Sequence, residues 1–251
     1  MALASTGKRV HTMDELRGIL ILYVVLYHLL FDLTVLFGAD IPWMFDPWMN
    51  SLRDWMTGSL IVISGVACHY SRSNMRRGLK TLAWALALTV VTAVAMPGQL
   101  ILFGILHFFG SAMVLYALLE PLLRPVPTLV GLVGSGALFA ATRDIYYGTV
   151  GLGRWQWQVP DFFYNKPLLF PLGFRSQGLA SGDYYPILPW IFLFLAGAFL
   201  GRWVRAGRFP RWVYQSHFPR LAWIGTHTLE IYLLHQPLIY GVLYLLFKVL
   251  P

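Results

Sequence analysis

The part of the chain that decides its fold is residues 13–32, MDELRGILILYVVLYHLLFD. It opens with charged residues and continues as an apolar run of the length, roughly 20 residues, that a helix needs to cross a hydrocarbon core. An isolated span in lipid must be helical because other backbone conformations leave polar groups unpaired. We therefore predict a transmembrane helix here, and its ionisable residues include Asp14, Arg17, His28 and Asp32.

Apolar runs of the same kind recur along the chain. We predict seven spans, at 16–36, 54–71, 79–96, 99–119, 126–142, 185–202 and 221–247. Prolines and glycines fall in the gaps between them, and Pro237 predicts a kink in the last span. The predicted fold class is all-α, a polytopic transmembrane helical bundle that forms a single domain over residues 1–251.

Composition supports this class. The chain is 57% hydrophobic and 12% charged, whereas a soluble domain carries about 25% charged residues. A soluble globule and a disordered chain are therefore both excluded. The net charge of +8 comes from basic residues in short loops, so no nucleic-acid partner is expected. Most of the 19 Lys and Arg residues lie on one side if the N-terminus is inside and the C-terminus outside, which is the orientation we predict.

One connection is long, the predicted outer loop at 143–184. It is rich in aromatic side chains, which is unusual for a disordered segment. We expect a lid or a segment that dips into the membrane; the alternative is an interfacial aromatic belt.

The ionisable residues of the first helix share one stripe. At about 100° per residue, Arg17 and His28 point within roughly 20° of each other, and Asp14 and Asp32 lie close to the same heading. Asp14 and Arg17 can pair at the helix entrance. His28 and Asp32, four residues apart, predict a carboxylate–imidazole pair that would make the ring a better general base. The alternative for His28 is a core histidine bonded to a neighbouring helix.

Further polar candidates lie in later spans. His107 and His235 are predicted at membrane depth, and Gln236 follows His235. With His28 they could converge on one cavity, or they could form inter-helix hydrogen bonds worth roughly 0.6 kcal/mol each. Trp190 could floor an acceptor pocket or act as an interfacial anchor.

Several motifs, taken in order, resemble one family. The first helix has Asp-x-x-Arg-Gly with a histidine eleven residues after the arginine, as in the membrane acyltransferase superfamily, which includes the acyltransferase-3 enzymes. The later motifs are Ile63-Ser64-Gly65-Val66, Phe103-Gly104-Ile105-Leu106-His107, Tyr185-Pro186-Ile187-Leu188-Pro189-Trp190, and Ile224-Gly225 with Ile231-Tyr232-Leu233-Leu234-His235-Gln236-Pro237. The chain is most similar to short bacterial relatives of the heparan-alpha-glucosaminide N-acetyltransferase catalytic domain.

This resemblance implies an acyl-coenzyme A-dependent acyltransferase of the bacterial cytoplasmic membrane. An acyl group, expected to be acetyl, would pass to a hydroxyl or amine of a sugar, an envelope glycan or another small acceptor. No metal is expected, and a homo-oligomer is left open. The catalytic candidates are His28 and Asp32, and the substrate-binding candidates are Arg17, His107, Trp190, His235 and Gln236.

One departure from the family bears on the base. The lysosomal enzymes carry an amide at the His28 position and have their active histidine in the following loop. Residues 33–53 of this chain contain no histidine. We therefore expect His28 to be the catalytic histidine. The resemblance does not imply that glucosamine is the substrate.

The coenzyme could be held by a basic loop. The phosphates of the coenzyme would suit the cluster formed by Arg72, Arg76, Arg77 and Lys80. The positive-inside rule alone also explains these charges. Two other function classes remain open on the sequence: a haem-binding membrane electron carrier that uses the buried histidines, and a transporter.

Overall fold

The computed structural model describes residues 10–175 and 178–250. Lys8 and Arg9, which entered the orientation argument, lie outside the described residues. The chain forms two compact units. Unit 1 contains residues 10–60 and 209–250, and unit 2 contains residues 61–208. The single domain over residues 1–251 stays a prediction.

Unit 1 is built around the first helix. Helix α1 (His11–Val35) packs against α7 (Pro219–Thr226) and α8 (Thr228–Tyr244), and α8 continues as a π-helical turn, Leu245–Val249. The crossing of α1 and α7 is a backbone contact. A Cβ added at Gly18 would lie on the carbonyl oxygen of Leu221, and one added at Gly225 would lie on that of Asp14. Two residues of the sequence motifs, Gly18 and Gly225, are thus glycines because the two helix backbones touch.

Unit 2 consists of paired helices. Helix α2 (Pro47–Ala67) enters it at Ile61, α3 (Asn74–Ala95) packs on α4 (Ile105–Leu123), and α5 (Thr128–Thr142) packs on α6 (Ile187–Arg205). Small residues again allow close approach, since a Cβ at Gly65 would meet the carbonyl oxygen of Phe194, and one at Gly197 would meet that of Val62. Such small-residue contacts are typical of helices that pack in lipid.

Within the part of the chain that the structure describes, five helices are long and apolar enough to cross a membrane: His11–Val35, Asn74–Ala95, Ile105–Leu123, Ile187–Arg205 and Thr228–Val249. On α3, the large apolar residues Leu86, Val90 and Val94 are exposed, as expected for a face that meets lipid. The predicted runs 54–71 and 126–142 fall on α2 and α5. Helix α5 has 15 residues, or about 22 Å at 1.5 Å per residue, and the first half of α2 carries the polar residues Asn50, Ser51, Arg53 and Asp54. The count of seven spans and the orientation stay predictions.

The structure differs from the sequence analysis at several helix boundaries. Helices α1, α2 and α3 begin at His11, Pro47 and Asn74, before the predicted starts at 16, 54 and 79. The run predicted at 99–119 becomes helical only at Ile105, because a 3-10 turn, Pro97–Gln99, and an extended segment come first. The run predicted at 221–247 is two helices, because His227 has the non-helical angles φ −107° and ψ 24°. The break thus lies at His227, whereas α8 continues through Pro237.

The aromatic loop at 143–184 is ordered where it is described. It contains a hairpin, β1 (Thr149–Leu152) antiparallel to β2 (Trp155–Gln158), and short 3-10 turns. Tyr184 stacks on Phe170 and donates a 2.7 Å hydrogen bond to its carbonyl oxygen. Burial raises the pKa of the Tyr184 hydroxyl, so this donor keeps its proton.

Candidate active site

Two acidic residues near the start of α1, Asp14 and Glu15, make different contacts. Asp14 lies 3.6 Å from Arg17, which confirms the predicted pair. Glu15 is buried, and one of its oxygens accepts hydrogen bonds from the backbone N–H groups of His217 (2.6 Å) and Phe218 (2.8 Å). The same oxygen accepts a bond from the hydroxyl of Ser216 (3.3 Å).

Glu15 therefore fastens the segment that leads into α7 onto the first turns of α1. Glu15 is not among the residues that the sequence pattern singles out. A usable signal was present, because an acid at the entrance of an apolar helix needs a partner. Only the fold shows that this partner is backbone about 200 positions away.

At the other end of α1, Asp32 is almost fully buried, with 1% of its surface exposed. Both of its carboxylate oxygens accept hydrogen bonds from the side-chain amide nitrogen of Gln236, at 2.9 and 2.8 Å. This contact joins α1 to α8. It also fixes the orientation of the Gln236 amide, because only the NH2 end can face a carboxylate.

The predicted hydrogen bond between Asp32 and His28 is not formed among the described residues. Four-residue spacing on a helix allows such a contact but does not select it over a partner from another helix. Here the amide of Gln236 occupies the carboxylate. The pairing inferred from α1 alone is therefore wrong, although both residues lie on α1, four positions apart.

The ring of His28 faces a second imidazole instead. The ring centroids of His28 and His235 are 4.9 Å apart and their planes are inclined by 59°. His235 is buried, with 7% exposed. Its Nδ1 lies 2.6 Å from the carbonyl oxygen of Tyr232. Since a carbonyl oxygen only accepts, Nδ1 must carry the hydrogen, and in the neutral ring Nε2 is left with its lone pair.

That lone pair has no partner. Among the described residues, three buried side-chain polar atoms lack a hydrogen bond, and two of them are Nε2 of His235 and Oε1 of Gln236. A buried acceptor without a partner costs about 1–3 kcal/mol, so two on neighbouring residues call for an explanation. Four predicted site residues, His28, Asp32, His235 and Gln236, are brought together at this point.

Other predicted site residues belong to unit 2. Nδ1 of His107 accepts the backbone N–H of Gly104 at 3.2 Å, and its Nε2 lies 3.2 Å from the hydroxyl oxygen of Thr89. That hydroxyl donates to the carbonyl oxygen of Ile101, so Nε2 of His107 is the donor to it. Both ring nitrogens are in use, and a substrate contact by His107 would have to break one of these bonds.

The aromatic candidate, Trp190, packs among aromatic rings of unit 2. Its ring lies 5.7 Å from Phe139 and 5.5 Å from Tyr185, measured between centroids. Such a cluster suits either of the roles considered for Trp190, an acceptor floor or an anchor.

The four basic residues of the predicted coenzyme-binding loop are not all placed alike in the structure. The Arg77 guanidinium lies inward, with Nε 2.8 Å from the sulfur of Met113 and a second nitrogen 3.5 Å from the carbonyl oxygen of Ala67. The other three, Arg72, Arg76 and Lys80, are exposed. The exposed three are thus better placed to meet an anionic ligand than Arg77. Among the described residues, no group of three or more His, Cys, Asp or Glu side chains is arranged to hold a metal ion.

The fold and this site define an integral membrane protein in which one helical unit carries two facing imidazoles and a buried carboxylate. The family follows from comparison. The model of the family described as heparan-alpha-glucosaminide N-acetyltransferase, catalytic, matches residues 9–237, and the chain belongs to this family. Neither a curated protein nor a solved structure matches the chain. Family membership confirms the resemblance drawn from the motifs and implies acyltransferase activity.

Proposed function

We propose that this protein transfers an acetyl group from acetyl-coenzyme A to a hydroxyl or amine of a small acceptor, a sugar or an envelope glycan, at the bacterial cytoplasmic membrane. The observation that carries the proposal is the His28–His235 pair, in which a histidine of the family-like first helix faces the buried ring of His235. A thioester is already activated. The protein therefore has to supply orientation, a base and stabilisation of the developing negative charge.

In the proposed reaction, His28 takes the proton from the acceptor hydroxyl or amine as the oxygen or nitrogen attacks the thioester carbon. The tetrahedral adduct collapses, the carbon–sulfur bond breaks, and the coenzyme leaves as a thiolate. The proton held by His28 then passes to that sulfur, so the imidazole returns to its starting state. Neither a metal nor a redox partner is required by this balance.

The other residues of unit 1 have supporting roles in the proposal. Asp32, held by Gln236, sets the position of α8 against α1 at the level of the two rings. Arg17 lies near the entrance of α1, where it would meet the coenzyme. In unit 2, Arg72, Arg76 and Lys80 remain candidates for its phosphates, and Trp190 and His107 remain candidates for acceptor contacts.

The test is transfer of labelled acetyl from acetyl-coenzyme A by purified, detergent-solubilised protein to a panel of sugars and amines. Removal of a general base costs about 10²- to 10⁴-fold in rate, and we expect this loss for His28→Ala. A matched control is His227→Ala, in the same unit, since that ring bonds only locally, to the carbonyl oxygen of Trp223 and the hydroxyl of Thr226. Turnover by His28→Ala at the wild-type rate would refute the assignment of the base.

The haem alternative fits the observed pair poorly. A haem iron held by two histidines requires the porphyrin plane to lie between the rings. Rings inclined by 59° with centroids 4.9 Å apart leave too little room, because each metal–nitrogen bond alone takes about 2 Å. An absorption spectrum of the purified protein checks this conclusion, and a Soret band would contradict it.

A further inference from the structure

A base that works inside an apolar bundle needs a partner for the charge it acquires. When His28 takes a proton it becomes an imidazolium, and a cation away from water is costly unless another group is hydrogen-bonded to it. In many enzymes a carboxylate fills this role. Here the nearest candidate on the same helix, Asp32, is already bonded through both oxygens to Gln236.

The group that faces His28 is His235, and its hydrogen-bonding state suits the task. The Tyr232 carbonyl oxygen, 2.6 Å from Nδ1, keeps the hydrogen on that nitrogen. The lone pair of Nε2 is therefore available, and Nε2 is buried without a partner. Only 7% of the surface of His235 is exposed, so the residue is buried.

We propose that His235 is a positioning residue for His28, and that its Nε2 accepts a hydrogen bond from the ring of His28 when that ring is protonated. This inference rests on the proposed function. The proton taken from the acceptor stays on His28, in an N–H···N hydrogen bond to Nε2 of His235, until the coenzyme thiolate receives it. The orphaned lone pair is then an acceptor kept free for one step of the reaction.

The Tyr232 contact has a second consequence. A carbonyl that accepts the Nδ1 hydrogen makes the opposite nitrogen of the same ring a stronger acceptor, as in hydrogen-bonded chains generally. It also keeps the proton on Nδ1 and fixes the orientation of the ring. The free lone pair of His235 therefore depends on the backbone of α8, one turn before the ring.

Two amide substitutions separate this role from a structural one. The amide of Asn occupies the place of histidine Nδ1, so His235→Asn can keep the bond to the Tyr232 carbonyl but offers no acceptor at Nε2. The amide of Gln reaches the place of Nε2, so His235→Gln offers its oxygen there. If His235 is purely structural, Asn should substitute for it better than Gln. If it has the proposed role, Gln should substitute for it better than Asn.

A hydrogen bond to a charged group is worth about 1.5–3 kcal/mol, or roughly 10- to 150-fold in rate. We expect His235→Asn to lower kcat by that factor with little change in the KM for acetyl-coenzyme A, and His235→Gln to recover most of the loss. The experiment compares kcat and KM for wild type and both variants in the same detergent. Size-exclusion profiles and thermal unfolding establish that each variant is folded.

The outcomes are distinct. Higher kcat for Gln than for Asn supports the inference. Equal kcat for both, kcat for Asn at or above that of Gln, or a change confined to KM overturns it while leaving His28 as the base. Wild-type protein that transfers no acetyl group overturns the proposed function, and the inference with it.

Discussion

Two buried histidines, one in each unit, differ in a way that their sequence contexts do not reveal. His107 in α4 and His235 in α8 are 4% and 7% exposed, and both lie in predominantly apolar helices. Both nitrogens of His107 are hydrogen-bonded, to Gly104 and Thr89. His235 uses one nitrogen on the backbone of its own helix and leaves the other without a partner.

The difference shows how a structural histidine can be told from a chemical one. A ring with both nitrogens bonded gains stability from its surroundings and has to break one of these bonds before it can contact a reactant. A ring with one buried, unbonded nitrogen costs stability, and it holds a lone pair ready for a donor that arrives later. The facing imidazole of His28 indicates what that donor is.

The largest loss of stability is expected when the backbone contact between α1 and α7 in unit 1 is disrupted. In Gly225→Ala, the added Cβ would overlap the carbonyl oxygen of Asp14. Helices α1 and α7 would have to separate, at a cost of about 3 kcal/mol or more. Thermal unfolding in detergent measures the loss. Gly241→Ala in α8 is the control, because nothing lies within 4 Å of its Cβ. Equal stability of both variants would show that the backbone contact does not hold unit 1 together.

A smaller effect is expected at His107. In His107→Ala, the N–H of Gly104 loses its acceptor in a buried position, which costs about 1–3 kcal/mol. Thermal unfolding should register this loss, whereas turnover per folded molecule should fall less than in His235→Asn. Unchanged stability with lost turnover would contradict the contrast between the two histidines and restore a substrate contact for His107.

The smallest losses of stability are expected for the basic residues of the predicted coenzyme-binding loop in unit 2, which also divide into one with bonded partners and others that are exposed. Arg77→Ala removes contacts to Met113 and Ala67, and we expect a loss of about 1 kcal/mol. Arg76→Ala, at an exposed position, should change stability by less than about 0.5 kcal/mol. If the exposed cations bind coenzyme phosphates, Arg76→Ala should raise the KM for acetyl-coenzyme A and Arg77→Ala should not. The reverse pattern in KM would assign the coenzyme contact to Arg77.

Much of the architecture followed from local signals. Hydrophobic runs predicted that α1, α3 and α6 exist, because a helix in lipid needs only a continuous apolar segment, but they missed the first residues of α1 and α3. Helical periodicity placed Asp14 beside Arg17, since both are on one helix. The break at His227 was missed because the nearest glycine, Gly225, lies inside α7 rather than at the break, and α8 continues through Pro237.

The amino-acid sequence by itself determined that this chain is a helical membrane protein, that α1 carries a polar stripe, and that its motifs are those of one acyltransferase family. Only the tertiary structure decided that Asp32 bonds to Gln236 rather than to His28, and that His28 faces His235. Periodicity reports which residues share a face of one helix. The partner of a buried polar group is chosen across helices, by hydrogen-bond geometry between residues about 200 positions apart.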